Sequence, residues 1–187
     1  MAEKRKNWNG LISGFKASDL VFLDESGCNT DMTRRYAYSL GGSRAVDSAP
    51  LSKPKNTTIL SSIQLDGTLH YTTFSGGTTV ERFKQYLETD LLPHLNGDSV
   101  LVMDNMKSHH AKAVKNLLDS SGVRYVYLPP YSPDLNPIEK LWSKVKSLLR
   151  KFKARTLDAL PNAIQNAFHS ITVSDCSGWF RFCGYVL

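Results

Sequence analysis

The sequence predicts an α/β domain, a mixed sheet with helices on its faces. Three observations carry this. Hairpin-type strands crowd the first half, strands and helices alternate in the second, and two strands are continuously apolar, as in the centre of a buried sheet. The 187 residues suit one domain with a real core. Apolar residues make up 41% of them, enough to fold rather than stay disordered.

Residues 1–18 are polar and basic with Trp8 and Phe15 interspersed, and read as a loosely packed lead-in or linker. Residues 19–25, carrying Leu20-Val21-Phe22-Leu23-Asp24, form the first strand. Residues 34–40 read as a second strand, ended by Gly41-Gly42. Residues 56–65 are rich in Thr and Ile and give a third. Asp66-Gly67 is a hairpin signal, and 68–74 is the returning strand.

Thr78 or Thr79 then caps a helix with Glu81 in its first turn. Val80, Phe83, Tyr86, Leu87 and Leu91 recur at helical spacing, and Pro93 with Asn96-Gly97 ends the run. Residues 99–103 are the second strand to lead into an aspartate, Asp104. A helix follows over 109–120, closed by Gly122, then a strand over Val123–Leu128. Pro129-Pro130-Tyr131-Ser132-Pro133 is a stiff loop. Asn136 is the expected cap of the next helix, with Pro137 in its first position, and that helix runs to Phe152. Another covers 156–171. The tail from Ser174, with Trp179, Phe180 and Phe182, matches no single pattern.

Asp24 and Asp104 both read as strand ends, and sites in such sheets form beyond the carboxyl ends of adjacent strands. One Asp after a strand is most often only a turn residue; a pair is less easily dismissed. Glu139 adds a third acid, with thirty-four residues between it and Asp104. Three converging carboxylates repel one another unless a cation sits between them. Mg²⁺ or Mn²⁺ favours such oxygen donors and keeps phosphate oxygens as further ligands. The set points to metal-assisted chemistry on phosphate esters.

Glu139 opens a helix whose apolar stripe is Ile138, Leu141, Trp142, Val145, Leu148, Leu149 and Phe152. A first-turn glutamate is equally explained by the helix dipole. The surrounding charge weighs against that reading. From Lys140 to Arg155 there are seven basic residues and no acid, whereas solvated helices usually mix signs. Lys146, Arg150 and Lys153 lie in line with Glu139 and are the candidate contacts to DNA phosphates. Lys140, Lys144 and Lys151 point to the other flank. His109, five residues past Asp104, is a candidate to bond a DNA phosphate or to order a carboxylate, although a lone histidine is more often a surface or capping residue.

The net charge of +6 suits a polyanionic partner. Cys28, Cys176 and Cys183 are too few and too scattered for a disulfide framework or a zinc site and suggest a reducing compartment. No signal peptide and no membrane-spanning run is seen. Glycine loops that cradle phosphate and the elbow of a serine hydrolase are also lacking.

Three blocks carry a family resemblance: Phe22-Leu23-Asp24-Glu25-Ser26; Val102-Met103-Asp104-Asn105 with His109; and Leu128-Pro129-Pro130-Tyr131-Ser132-Pro133-Asp134-Leu135-Asn136-Pro137-Ile138-Glu139. They resemble the signature blocks of DDE transposases, in particular the bacterial insertion-sequence branch of the mariner-related superfamily. Cys176-Ser177-Gly178-Trp179-Phe180 extends the likeness into the tail. The resemblance implies a ribonuclease H-like fold over 19–187, with a mixed five-stranded sheet and helices on both faces. It implies Asp24, Asp104 and Glu139 as the catalytic, metal-binding triad for two Mg²⁺ (or Mn²⁺) ions. Water would cut double-stranded DNA at transposon ends and the freed 3′ hydroxyl would attack target DNA, at TA in mariner relatives. It further implies a homodimer or higher assembly on DNA in a bacterial cytoplasm, associated with the nucleoid. Family members carry a helix-turn-helix region ahead of this domain. Only residues 1–18 precede the first strand here, so that region is expected to be separate or missing, through a frameshift or truncation, and the chain alone is expected to bind DNA with little sequence preference. A nuclease or resolvase of the same fold, and a non-catalytic DNA-binding protein, are the competing readings.

Overall fold

The computed structural model describes all residues except 1, 35, 49, 51–53, 186 and 187, with residues 2–4 and 6 described by backbone alone. The elements in chain order are α1 (Ala2–Ile12), β1 (Leu20–Cys28), β2 (Thr57–Ile63), β3 (Leu69–Ser75), α2 (Val80–Tyr86), β4 (Val100–Met103), α3 (Lys112–Ser121), β5 (Arg124–Tyr127), α4 (Ile138–Phe152), α5 (Ala159–His169) and α6 (Val173–Phe182). The chain from α2 continues through a wide turn, Leu87–Leu91, and a tight one, Leu92–His94.

The sheet order is β3-β2-β1-β4-β5. The first three strands pair antiparallel, and β4 and β5 run parallel to β1. Side chains alternate across a strand, so β1 feeds two cores. Leu20 and Phe22 pack on the side of α4, α5 and α6, while Val21 and Leu23 pack on the side of α2 and α3. This is why β1 reads as an unbroken apolar run. On α4, Ile138, Leu141, Trp142, Val145 and Leu149 are buried, one stripe at helical spacing. Each such side chain contributes roughly 1.5–3 kcal/mol on leaving water. The hairpin turns at Gly67 with φ of 89°, and α3 ends on Gly122 with φ of 72°, conformations that glycine adopts without steric cost.

Three expectations change. Residues 34–40 form no strand among the described residues; Tyr36, Tyr38 and Leu40 stand almost wholly exposed. Strand-like composition needs a pleated surface to pack against, and here both edges of β1 are already taken by β2 and β4. The lead-in is not loose: Trp8 of α1 is buried in the core. The tail forms α6, which seats Cys176 and Phe180 in the same core. No helix among the described residues is long and apolar enough to cross a membrane.

Helix α6 starts with a reciprocal cap. Thr172 accepts the N–H of Asp175 at 3.1 Å, and Asp175 accepts the N–H of Thr172 at 2.8 Å. Lys144 of α4 reaches the same carboxylate at 2.5 Å, tying α6 to α4. Burial pushes the Asp175 carboxyl up, but Lys144 and Thr172 outweigh it and hold the group below the usual carboxylate range. A depressed carboxyl stabilises the fold above the unfolded-state pKa and loses that contribution as pH falls through the folded one. Asp175→Asn should therefore lower the unfolding free energy by about 0.5–1.5 kcal/mol at neutral pH. In urea titrations run at several pH values, its deficit should shrink below about pH 4.

Candidate active site

The parallel register of β1 on β4 sets Leu23 beside Met103. The next residues, Asp24 and Asp104, therefore emerge side by side where β4 stops. Strand β1 does not stop there, contrary to the sequence expectation. It continues to Cys28 against β2, so Asp24 lies in mid-strand and only its β4-side edge is open. Asp24, Asp104 and Glu139 line one cleft of about 430 Å³, walled by the Leu128–Pro133 loop and Asn136. Among the described residues, no three His, Cys, Asp or Glu side chains close into a metal cage. The acids share an open cleft.

Asp24 is half-buried. One carboxylate oxygen accepts the Trp142 indole N–H at 3.0 Å and the other the Glu25 backbone N–H at 2.8 Å. Burial pushes its carboxyl up to about 7, helped by repulsion from Glu25 and Glu139 and opposed by the two hydrogen bonds. The cleft is short of positive charge, and its acidic donors are all hard oxygens. That chemistry fits Mg²⁺ or Mn²⁺.

Asp104 is held differently. Its Oδ1 accepts the Met106 backbone N–H at 2.9 Å and lies 2.9 Å from Nδ1 of His109. The Nε2 of His109 lies 3.3 Å from the Glu25 carboxylate, and the ring stacks on Phe83 at 4.3 Å. Burial pushes His109 down, but hydrogen bonds to Asp104 and Glu25 and their charges win, raising it to about 9. His109 thus lies buried between two carboxylates, which favour its charged form. Burial raises Asp104, yet His109 and Met106 keep it below the usual carboxylate range. Glu25, next to Asp24, points through the opposite face of the sheet, where α2 packs. His109 has 0% exposure, so it meets no solvent-borne phosphate. Its two ring nitrogens face the carboxylates of Asp104 and Glu25 instead.

Glu139 stands exposed in the first turn of α4, its N–H bonded to the Asn136 carbonyl at 3.1 Å. Asn136 is not the side-chain cap expected. Pro137 precedes the helix, and the buried Oδ1 of Asn136 has no partner among the described residues. The proline loop is pinned from two sides. The Asn105 amide donates to the Leu128 carbonyl, and Arg5 of α1 pairs with both oxygens of Asp134 and reaches Ser132 Oγ at 3.4 Å.

The basic residues of α4 divide unevenly. Lys144 is occupied by Asp175, Lys153 by Asp47 at 2.7 Å, and Lys140 lies over the Phe182 ring at 3.8 Å. Lys146, Arg150 and Lys151 have no ion-pair partner among the described residues, and Arg150 and Lys151 both border Arg34, Tyr36, Ala37 and Tyr38. Sequence reasoning passed over Glu25, Asn105, Trp142, Arg5 and Asp134. Trp142 was placed in the apolar stripe, and only its indole N–H, which must find an acceptor when buried, hinted at more.

The five-stranded sheet with Asp24 and Asp104 at its open rim has the ribonuclease H-like arrangement. Residues 19–161 match the family of DDE superfamily endonucleases, and the chain belongs to that family. The Tc1 transposase of Caenorhabditis elegans is 30% identical over 97 residues, covering 50% of this chain and 36% of that protein. The Tcb2 transposase of Caenorhabditis briggsae is 32% identical over 75 residues, covering 40% and 28%. The matched stretch is thus about a third of the length of these curated relatives. In fold, the chain superposes on a pre-cleavage Mos1 transpososome with a TM-score of 0.80 at 20% identity, over 96% of this chain and 58% of the other. On the catalytic domain of Mos1 mariner transposase the TM-score is 0.73 at 17% identity, over 96% and 85%.

The clamp on Asp104 can be measured without catalysis. His109→Ala leaves the buried Glu25 carboxylate without its partner and a gap against Phe83, while the 45%-exposed Asp104 keeps its contact with solvent, a change that costs about 2–4 kcal/mol. Urea denaturation at pH 7 should show a loss of that size. A loss under about 1 kcal/mol would mean that the pairs are not formed in solution.

Proposed function

We propose that this chain is the catalytic domain of a Tc1/mariner-type transposase, cutting DNA strands at transposon ends and joining the freed 3′ end to target DNA. The observation that carries this is the adjacent register of Asp24 and Asp104 with Glu139 in the same cleft, in a member of an endonuclease family. The relatives that match in sequence are transposases, and Mos1 paired-end complexes are known with Mn and with Mg. These support the same reaction and the same metals here.

Asp24, Asp104 and Glu139 would hold two divalent ions, Mg²⁺ or Mn²⁺. Ions bound there supply Lewis-acid activation of the attacking hydroxyl and neutralise charge on the scissile phosphate. The protein's share is to keep the donors in place. Trp142 and the Glu25 N–H fix Asp24. His109 and the Met106 N–H fix Asp104. The phosphate backbone approaches along α4, past Lys146, Arg150 and Lys151, by charge attraction alone. Both ends of an element must be cut and joined, so the working unit holds at least two copies on double-stranded DNA. A helix-turn-helix region outside this fold would read the ends.

Two predictions test the reading. In a plasmid-nicking assay with Mn²⁺, Asp24→Ala, Asp104→Ala and Glu139→Ala should each abolish cutting while changing DNA affinity less than about threefold, since the cationic flank supplies binding. Nicking at the wild-type rate by any of the three would remove that residue from the site. In salt titrations of binding, Lys146→Ala and Arg150→Ala should each reduce the slope of log affinity on log salt by about one, on all sequences alike. Lys144→Ala, whose amine is already spent on Asp175, should leave the slope unchanged; equal effects at all three positions would assign the charge to another surface.

A further inference from the structure

One residue of the cleft has no part in holding the acids or steering phosphate. Tyr131 lines the cleft beside Asp24, Asp104 and Glu139. Its φ is 54°, one of two positive values outside glycine among the described residues, and 90% of its surface is exposed. That backbone region is disfavoured for any residue with a side chain, and a tyrosine that packs on nothing recovers none of the cost. Such outliers persist where the surroundings impose them, and they cluster at sites that grip ligands.

The surroundings here do impose it. Leu128 and Pro129 are buried on one side of Tyr131 and Ser132 on the other. Asn105 pins the Leu128 carbonyl, while Arg5 holds Asp134 and reaches Ser132. Proline fixes the backbone on both sides, at Pro130 and Pro133. The loop therefore holds one aromatic ring out at the mouth of the site. The adjoining wall is proline and leucine, without a cation, so it suits a flat apolar surface rather than a phosphate.

We propose that Tyr131 is a stacking platform for an unpaired DNA base beside the scissile phosphate. As the phosphate settles among the acids, the neighbouring nucleotide leaves the duplex and lays its base on the ring. Unpairing costs energy that base–aromatic stacking offsets, and every base offers the face required. A ring already held in place loses little freedom on binding. The occupant is DNA rather than a protein partner, because whatever covers this ring also covers the entrance through which the scissile phosphate must pass. The proposal rests on the reading of the cleft as a DNA-cutting site.

The test uses the full chain and short duplexes that carry 2-aminopurine either as an unpaired terminal base or within a fully paired end. Ca²⁺ replaces Mg²⁺ to hold back cutting. Wild-type protein should quench the unpaired fluorophore. Tyr131→Ala should lose that quenching and bind the unpaired-end DNA roughly tenfold or more weakly, with less than a twofold change on the paired duplex. Tyr131→Phe should retain both effects, since the ring and not the hydroxyl acts. Tyr131→Gly relieves the backbone and should not lower the melting temperature, yet it should lose the quenching. Undiminished quenching by Tyr131→Ala, or a loss in Tyr131→Phe equal to that in Tyr131→Ala, overturns the platform and leaves the DNA-cutting reading intact. Failure of the wild-type protein to bind either DNA, or plasmid nicking by Asp104→Ala at the wild-type rate, overturns both.

Discussion

The site depends on one pairing, the parallel register of β1 on β4. It makes Asp24 and Asp104 neighbours without either being part of a flexible loop, and it ends β4 where β1 goes on. A parallel pair buried on both faces cannot slip by one residue without turning Val21 and Leu23 into the wrong core. The precision of the acids is therefore inherited from apolar packing that has no chemistry of its own. Burial of β1 and β4 also excludes water from the base of the cleft, which strengthens each charge interaction there.

The two aspartates are stabilised by opposite means. Asp24 has neutral donors only, the indole of Trp142 and a backbone N–H, and its carboxyl is raised to about 7. Asp104 has the buried ring of His109 beside it and sits below the usual range. One cleft thus contains a carboxylate held by neutral donors alone and another bonded to a histidine. His109 reaches Asp104 from beneath the sheet and leaves the mouth of the cleft open. Glu25 completes this arrangement, and alternation along β1 puts it on the far face from Asp24.

Much of this was legible in the residues. The apolar runs before Asp24 and Asp104, the stripe on α4, the helix cap at Gly122 and the hairpin turn at Gly67 follow from local rules of period and φ. The adjacency of the two acids did not follow from local rules, since strand order is a property of the whole sheet. The continuation of β1 to Cys28 escaped notice because Asp24-Glu25-Ser26-Gly27 is poor strand sequence. It is extended only because β2 supplies a partner along its full length. The segment 34–40 shows the reverse case, good strand composition with no surface to lie on. The role of His109 was open from sequence because either ring nitrogen could serve a phosphate or a carboxylate. Its partner Glu25 was hidden behind Asp24 in the same block.

The lead-in helix has a mechanical meaning. Trp8 anchors α1 in the core, and Arg5, one turn earlier, holds the loop that bears Ser132 and Asp134. The family match begins at residue 19, beyond this helix. A chain trimmed to that boundary would keep all three acids, the sheet and the basic helix, and still have a slacker rim, because the tie from Arg5 to the proline loop would be gone. Through Arg5, α1 belongs to the rim of the cleft as well as to the core.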